Sequence, residues 1–238
     1  GDANVKLRQA IAAAIDKQAI IDKTYNGSRK VATGWAMSGI PGYKKGIDKI
    51  PTRDLVAAKK YLGEWETATG KKASDLPAIK INFAAGLGHD GNATIIQSNI
   101  AELGLKGTLD ARDGTKYFSQ MRKGEGTFLR GGWVADYVSY DNMLFPIFGS
   151  TQVGNGDNLV QFKSDAFDEL IDKARTADSE QDAQKFYQEA EDLVLNKQRL
   201  VVPLNWYAGQ VVWSERLHNV IQSPLDFFSY EEMWLDKA

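Results

Sequence analysis

Residues 78–111 read AIKINFAAGLGHDGNATIIQSNIAELGLKGTLDA, and this stretch decides the fold. Apolar and polar side chains alternate with a period of two over residues 78–84, which predicts a strand. A helix is predicted to start at Asn92 and to end with Gly104 as its left-handed C-terminal residue. Residues 105–111 predict the next strand. Because β-α-β crossovers join parallel strands with a right-handed connection, the stretch predicts an α/β fold with a parallel sheet.

Helix and strand patterns continue the α/β prediction towards both ends of the chain. Apolar side chains at helical spacing predict the helices, and short apolar runs between turn residues predict the strands. The further predicted elements are a helix at 5–23, a helix around 55–62 with a polar loop at 63–77 behind it, a short helix at 116–123, a strand at 127–133, helices capped by Ser164 and Ser179, and strands at 200–204 and 210–213. Together they predict a mixed, mostly parallel sheet with helices on both faces.

Composition argues against several classes of protein. The 238 residues carry a formal net charge of -2, so the basic footprint of a nucleic-acid-binding protein is missing. The absence of cysteine is compatible with an oxidising compartment, and two histidines are too few for a histidine-based metal cluster. We expect no metal site, no cofactor and no nucleic-acid partner. Neither a signal-peptide pattern nor a membrane-spanning apolar stretch is found. The sequence starts with Gly-Asp-Ala-Asn and is helical in pattern almost at once, so we expect a mature or excised domain.

Motifs of catalysis are largely missing from the sequence. There is no Gly-x-Ser-x-Gly elbow, no cysteine nucleophile and no Gly-x-x-x-x-Gly-Lys-Ser/Thr phosphate loop. Residues 86–91 match the spacing Gly-x-Gly-x-x-Gly, and Asp110 lies where a dinucleotide site needs an acidic residue. A flexible turn before the helix is the simpler interpretation. We expect a protein that is not an enzyme; the alternatives are a nucleotide- or carbohydrate-active enzyme domain and a structural lobe without a ligand of its own.

Residues 130–137, which we name the recognition run, read Arg-Gly-Gly-Trp-Val-Ala-Asp-Tyr near the C-terminal end of a predicted strand. Ligands of α/β sheets bind at that edge. Arg130 offers a cation, Trp133 a stacking surface and Asp136 an anion, a set that suits a zwitterion with an apolar middle, such as a short peptide. Arg130 and Trp133 are three residues apart and would face opposite ways on a regular strand. Only a break of the strand at the two glycines between them brings both to one cleft.

Aromatic residues near predicted loops and strand ends add candidates for a ligand surface. For any single aromatic residue, a place in the core is the competing interpretation. Besides the tryptophan of the recognition run, the predicted ligand contacts are Tyr137, Trp35 and Tyr140, and the wider aromatic set also includes Tyr43, Trp206 and Tyr207. The sequence therefore predicts a binding surface with several aromatic side chains.

Six segments follow one another in the order of a known family. They are Val5–Ile21, Asp54–Leu62, Ile96–Leu105, Arg130–Tyr137, Phe167–Ile171 and Val202–Leu204. In this order they resemble the C-terminal lobe of the oligopeptide- and dipeptide-binding receptors of ABC importers, the bacterial extracellular solute-binding proteins of family 5. The resemblance implies a type II periplasmic-binding-protein fold, a clamp of two lobes. Residues 1–238 would then be the C-terminal lobe, with 217–238 as a return segment towards a missing N-terminal lobe.

The resemblance also implies roles for the recognition run. Asp136 would pair with the α-ammonium group of a bound peptide, Arg130 would meet a ligand carboxylate, and Trp133 would line a side-chain pocket. The family often has Asp-Pro soon after this run, whereas residues 138–141 here read Val-Ser-Tyr-Asp, so ligand length stays open. The implied protein is a non-catalytic extracytoplasmic receptor, periplasmic or lipid-anchored, that delivers an oligopeptide to a membrane permease. A sugar or a metal chelate is the alternative solute.

Overall fold

The computed structural model describes residues 2–154, 156–209, 211–223 and 228–237. Its α-helices are α1 Asn4–Ala14, α2 Lys17–Tyr25, α3 Leu55–Thr69, α4 Asp90–Ala101, α5 Gly114–Arg122, α6 Tyr140–Phe148, α7 Asp165–Arg175 and α8 Glu180–Asp192. Its strands are β1 Lys30–Val31, β2 Ile79–Ala84, β3 Gly107–Arg112, β4 Phe128–Leu129, β5 Asn205–Trp206, β6 Leu217–His218 and β7 Trp234–Leu235. In these ranges no helix combines the length and the apolar character needed to cross a membrane.

The central sheet is the predicted β-α-β unit extended by one strand. Its order is β3-β2-β4, and its strands are parallel. Helix α4 forms the crossover between β2 and β3, whose register pairs Ile79 with Gly107 at one end and Ala84 with Arg112 at the other. The antiparallel pairs, β1 with β5 and β6 with β7, form separate two-stranded ribbons. The α/β prediction is confirmed, and the parallel strands share one carboxyl edge.

Helices pack against both faces of strand β2, because its successive side chains point to opposite sides of the sheet. Ile81 and Phe83 point to one side and are buried in a core with α1, α3 and α4. Ala84 lies on the other side, in a smaller core with Tyr117 and Met121 of α5. Apolar burial of this kind contributes about 25 cal/mol per Å². The predicted arrangement of helices on both faces of the sheet is therefore confirmed.

A second core joins α6, α7 and α8 to the irregular segment 36–47. Phe148 and Phe167 are fully buried in it, with their ring centroids 6.0 Å apart in an edge-to-face contact. Trp133 and Ala135 of the recognition run pack against the same core. The recognition run therefore packs on the core that α6, α7 and α8 form.

Two predicted helix boundaries are wrong, and local chemistry explains each. The helix predicted at 5–23 is split into α1 and α2, because the Asp16 carboxylate accepts a hydrogen bond of 2.9 Å from the Ala19 N–H and caps a new helix. Helix α3 runs through the first half of the predicted loop at 63–77. There Trp65 is buried and extends the apolar face of the helix into a polar stretch.

The short predicted strands differ from the structure in extent. The strand predicted at 127–133 is limited to β4, since the chain turns away at the following glycines. The pairing expected at 200–204 occurs just after that segment, in β5. Of the strand predicted at 210–213, Gln210 lies outside the described residues and residues 211–213 form no strand.

The predicted helix ends at Ser164, Ser179 and Gly104 are confirmed, and α4 begins at Asp90, two residues before its predicted start at Asn92. The hydroxyls of Ser164 and Ser179 accept hydrogen bonds from backbone N–H groups in the first turns of α7 and α8. Gly104 adopts a left-handed φ of 76°, which lets the Leu105 N–H reach back to the Ile100 carbonyl at 3.3 Å. This closing turn ends α4 and leads the chain into β3.

A buried ion cluster joins the start of α2 to the segment after α8. Asp48 accepts hydrogen bonds from Lys17 Nζ at 3.4 Å and from Arg199 Nη2 at 2.8 Å, and these side chains are at most 1% exposed. Burial lowers the pKa of Lys17 to about 8. Burial alone would raise the pKa of Asp48, but the hydrogen bond and charge of Arg199, together with the charge of Lys17, outweigh burial and lower it. Asp48 is therefore ionised between two cations.

The C-terminal ribbon of β6 and β7 exposes apolar side chains. Trp234 is 56% exposed and Leu235 is 61% exposed, although both lie on a paired strand. Residues 224–227 and 238, which belong to the predicted return segment 217–238, lie outside the described residues. A ribbon with large exposed apolar side chains has the character of a docking surface.

Candidate functional site

The recognition run leaves the sheet at the carboxyl end of β4. The Arg130 N–H still donates to the Asn82 carbonyl of β2 at 2.8 Å, as a strand residue would. The next two residues, Gly131 and Gly132, are exposed and take no part in the sheet. At Gly132 an added Cβ would stand 2.1 Å from the hydroxyl oxygen of Tyr207, so only glycine fits there without rearrangement. The break of the strand at the two glycines, on which the sequence prediction depends, is present.

One buried amide holds Trp133 and Asp136 together. Asn142, in the first turn of α6, is 3% exposed. Its Oδ1 accepts hydrogen bonds from Trp133 Nε1 at 3.3 Å and from the Asp136 backbone N–H at 2.9 Å, while its Nδ2 donates to Asp136 Oδ2 at 3.3 Å. The Ser139 hydroxyl accepts from the Asp141 N–H at 3.2 Å and starts the helix. The second half of the recognition run is therefore fastened to the end of α6.

The Asp136 carboxylate is exposed and carries an uncompensated charge. Within the ranges that the structure describes, no lysine, arginine or histidine forms an ion pair with it. Asp141, by contrast, is paired with Arg175 at 2.8 Å. A free surface carboxylate held in place by a neutral amide can meet a ligand cation through a charge-assisted hydrogen bond.

Two arginines and a histidine gather at the carboxyl edge of the sheet. Arg130 Nη2 donates to the Tyr207 hydroxyl at 2.8 Å. Arg29 lies over the same tyrosine, its Cζ 4.9 Å from the ring centroid, and 3.7 Å from the ring centroid of Tyr25. His89, next to the N-terminus of α4, is near enough for the charges of both arginines to act on it. We name Arg29, His89 and Arg130 the basic cluster.

Burial and neighbouring charge keep His89 neutral. Burial, followed by the charges of Arg130 and Arg29, lowers the pKa of His89 to about 4. Its Nδ1 is buried, and in the described part of the chain it has no hydrogen-bond partner. Arg29 is oriented by a 3.0 Å hydrogen bond from Nη1 to Asn205 Oδ1. The basic cluster therefore contains two arginine cations. A bound anion would also stabilise the protonated form of His89, the third member of the cluster.

Tyr137 and Trp35, two further predicted contacts, lie in different surroundings. Tyr137 is 54% exposed and follows Asp136 directly. Trp35 is half-buried, with its ring edge-on to Phe148 at 5.3 Å between centroids. Its Nε1 donates to the Met143 carbonyl. Tyr137 is therefore presented to solvent beside the carboxylate, whereas Trp35 belongs mainly to the second core.

Tyr140 lies in the core, which corrects its predicted place on a ligand surface. It is 2% exposed, and its hydroxyl donates to Glu191, which also accepts from the Trp35 backbone N–H at 2.7 Å. Burial raises the pKa of Glu191, and burial together with the Glu191 charge raises the pKa of Tyr140. Tyr140 is the first residue of α6 and is buried where this helix packs into the second core. The spacing of residues in the sequence does not show that this side of the helix is buried.

Sequence reasoning missed three residues of this site. Arg29 and Asn142 stand in no motif, and His89 lies in a glycine-rich turn that has a simpler interpretation. Arg29 and His89 reach the recognition run only through tertiary folding. For His89 the available signal was the glycine-rich turn at 86–91, which follows a strand and precedes a helix. For Asn142 it was Ser139, a residue type that caps helices and that here begins α6.

The Gly-x-Gly-x-x-Gly spacing forms an exposed turn rather than a nucleotide cradle. Gly86 and Gly88 take left-handed φ values of 75° and 71°. Asp110, the acidic residue that a dinucleotide site would use, already accepts hydrogen bonds from Arg112 Nη2 at 2.9 Å and Nε at 3.0 Å. Its carboxylate is engaged at the sheet, so the geometry disfavours the nucleotide-dependent alternative.

Comparison with known proteins gives consistent matches. The family model described as "Bacterial extracellular solute-binding proteins, family 5 Middle" matches residues 3–155. Heme-binding protein A of Haemophilus influenzae is 29% identical over 233 residues, a match that covers 98% of this chain and 42% of that protein. Probable di/tripeptide-binding protein 5 of Pseudomonas aeruginosa is 27% identical over 206 residues, covering 84% of this chain and 37% of that protein.

A solved structure shares the fold along nearly the whole chain. The Escherichia coli murein tripeptide binding protein MppA matches with a TM-score of 0.85 at 19% identity, covering 98% of this chain and 45% of that one. The predicted type II periplasmic-binding-protein fold is thereby confirmed. The chain spans less than half the length of each of these three proteins. By the match over residues 3–155, the chain belongs to the bacterial extracellular solute-binding proteins of family 5.

Proposed function

We propose that the chain is the C-terminal lobe of a non-catalytic, extracytoplasmic receptor that binds short peptides for an ABC importer. The observation that carries the proposal is the exposed, unpaired Asp136 carboxylate on the same short segment as Arg130 of the basic cluster. An anion and a group of cations at one edge of a sheet complement the two ends of a zwitterion. The relatives named for di- and tripeptides support the same ligand class.

Asp136 is proposed to hold the α-ammonium group of the peptide. The carboxylate uses Oδ2 for the Asn142 amide, and within the described residues no donor occupies Oδ1. An ammonium group brings three donors and a full positive charge, so it matches an ionised carboxylate with a free oxygen. The half-buried ring of Trp133 and the exposed ring of Tyr137 flank this position and can pack on the apolar middle of the ligand.

The basic cluster is proposed to hold the carboxylate of the peptide. A guanidinium group can bind a carboxylate through two parallel hydrogen bonds, which favours Arg130 or Arg29 as the partner. Arg130 and Asp136 are six positions apart, so their Cα atoms are at most about 22 Å apart when the chain is fully extended. Because a peptide residue adds roughly 3.3 Å, a ligand that bridges the two ends is limited to roughly six residues. The proposed ligand is therefore a short oligopeptide.

This lobe supplies one wall of the proposed site. The curated relatives are more than twice as long as the matched segment, which supports a further lobe in the same protein. We infer that this N-terminal lobe closes over the recognition run by a hinge motion when ligand binds. Residues 217–238 would return to it, with Trp234 and Leu235 as part of the contact. The closed receptor would dock on the permease, as a periplasmic protein or a lipid-anchored lipoprotein.

Isothermal titration calorimetry on the full-length polypeptide that contains these residues tests the proposal. Trialanine, N-acetyl-trialanine and trialanine amide differ in which end carries a charge. Because each ionic end makes a charge-assisted contact, each blocked peptide is expected to bind about tenfold or more weakly than trialanine. Equal affinity for these three peptides, or no binding by di-, tri- or tetraalanine, would overturn the peptide assignment.

A carboxylate-bearing solute without an ammonium group is the second candidate. Heme-binding protein A is among the relatives, and the basic cluster can hold any carboxylate. Such a solute would make no use of Asp136. A thermal-shift screen separates the two candidates, because a ligand stabilises the state that binds it. Stabilisation by hemin and not by peptides would favour this candidate over the peptide proposal.

Affinity for peptides is expected to rise as the pH falls from 7.5 to 5. His89 has a pKa of about 4 in the free lobe, and a bound carboxylate beside it would raise that pKa. The complex then binds more protons than the free protein between the two pKa values, so lower pH favours binding by about two- to tenfold. Calorimetry of trialanine at both pH values measures the change. A His89→Gln variant should give a flat profile, and an affinity that increases with pH would contradict the role of His89.

The isolated 238-residue lobe is expected to bind trialanine weakly or undetectably. It carries the Asp136 anchor and the basic cluster but not the opposing wall, so bound peptide stays largely in water and its ionic contacts are screened. Parallel titrations of the isolated lobe and of the full-length polypeptide provide the comparison. Circular dichroism serves as the control that the lobe is folded. Equal affinity in both proteins would show that this lobe holds the ligand alone.

A further inference from the structure

We infer that Asn142 is a positioning residue that fixes the Asp136 carboxylate for a ligand ammonium group, an inference that rests on the proposed function of Asp136. Asn142 does not face solvent, since it is 3% exposed. It acts through its three hydrogen bonds to the recognition run, from Trp133 and Asp136 to its oxygen and from its nitrogen to Asp136. It is therefore assigned to specificity without touching the ligand.

The hydrogen bonds allow only one orientation of the Asn142 amide. The Trp133 indole and the Asp136 backbone N–H are donors without acceptor capacity, so both require the carbonyl oxygen Oδ1. The Asp136 carboxylate is an acceptor, so it requires the amino group Nδ2. Exchanging oxygen and nitrogen would set donors against donors and the oxygen against a carboxylate. A leucine side chain has the same number of heavy atoms and the same branching at Cγ as asparagine, but it supplies none of these bonds.

The surroundings of Asp136 show why such an anchor is needed. Val134, Tyr137 and Val138 around it are 57%, 54% and 44% exposed, so side-chain packing restrains this part of the run weakly. Asn142 instead belongs to α6, where its neighbours in the helix are buried in the second core. Through Asn142, helix α6 therefore fixes the position of the exposed Asp136 carboxylate. Prior fixing of a binding group reduces the entropy lost when the ligand binds.

The test is the affinity ratio of trialanine to N-acetyl-trialanine, measured by calorimetry on the full-length polypeptide. Asn142→Leu is expected to lower affinity for trialanine about tenfold and affinity for N-acetyl-trialanine less than about threefold. The matched control is Asn158→Leu. Asn158 is also fully buried and also makes three hydrogen bonds, to Gly149 and Phe162, away from the recognition run. The control should leave the ratio unchanged even if it destabilises the fold.

Asp136→Asn separates failure of this inference from failure of the proposed function. If Asp136→Asn abolishes the preference for the free amine while Asn142→Leu leaves it intact, only the positioning role is overturned. If Asp136→Asn leaves the preference intact, the proposed function and the inference both fall. When Asn142 acts through Asp136, the double variant should lose no more preference than Asp136→Asn alone. If Asn142→Leu does not fold, Asn142→Ser, too short to reach both partners, is measured in its place with the same expected loss.

Discussion

Asp136→Asn is expected to weaken binding of trialanine by the full-length polypeptide about 10- to 150-fold. The change keeps the shape of the side chain and its place beside Asn142, but it removes the charge that we propose to face the ligand ammonium group. A hydrogen bond to a charged group contributes about 1.5–3 kcal/mol, and each 1.4 kcal/mol is about tenfold in affinity. The surface position of Asp136 argues for the lower half of this range, because water screens the proposed ion pair.

Two controls show whether this loss comes from the proposed contact. N-acetyl-trialanine has no ammonium group, so its affinity should change less than about threefold on the same substitution. Asp141→Asn removes a nearby acidic charge that Arg175 already neutralises, and it should leave trialanine binding within about threefold of the unmodified protein. Equal losses for the free and the acetylated peptide would show that the substitution disturbs the loop instead of a specific ion pair.

Asp48→Asn is expected to lower the free energy of unfolding of this lobe by about 3–5 kcal/mol. Asp48 is the carboxylate between two buried cations, so the substitution leaves Lys17 and Arg199 buried without a counter-charge. For a domain of this size the loss corresponds to a fall in melting temperature of about 6–20 °C. Differential scanning calorimetry of the full-length polypeptide, following the transition of this lobe, measures the change.

The pH dependence of the Asp48→Asn variant identifies the cause of its instability. Without the carboxylate, Lys17, whose pKa is already lowered to about 8, should release its proton more readily in the folded state. The unfolded chain keeps that proton up to the ordinary value of 10.5, so stability of the variant should partly recover between pH 7 and pH 9.5. The matched control Glu169→Gln breaks an exposed pair with Lys173 and should cost less than about 0.5 kcal/mol. A variant as stable as this control would contradict a stabilising role for Asp48.

Local patterns were sufficient to predict the framework of the fold. The β-α-β unit follows from alternation over 78–84 and from helical spacing up to Gly104, and both signals arise within a few residues of chain. The caps at Ser164 and Ser179 are equally local. The break at Asp16 was missed because the apolar pattern continues across it, while one side-chain hydrogen bond starts a new helix.

The candidate site was predictable only where it is contiguous. The recognition run places Asp136 and Arg130 in one segment, so their chemistry can be recognised from the sequence. Arg29 and His89 join Arg130 through the packing of distant segments, which no spacing rule encodes. Burial was the other obstacle, since Tyr140 has the residue type of a ligand contact but the environment of a core residue.

The ion cluster at Asp48 also has a consequence for the order of folding. Asp48 is 31 residues from Lys17 but 151 residues from Arg199, so its last partner is synthesised after most of the lobe. Contacts between such distant positions form slowly, because a long loop must close before they stabilise the chain. A nascent lobe that ends before Arg199 therefore lacks a cation that its finished interior requires. We expect such truncated chains to fold less stably than the complete lobe, and therefore to be more sensitive to proteases.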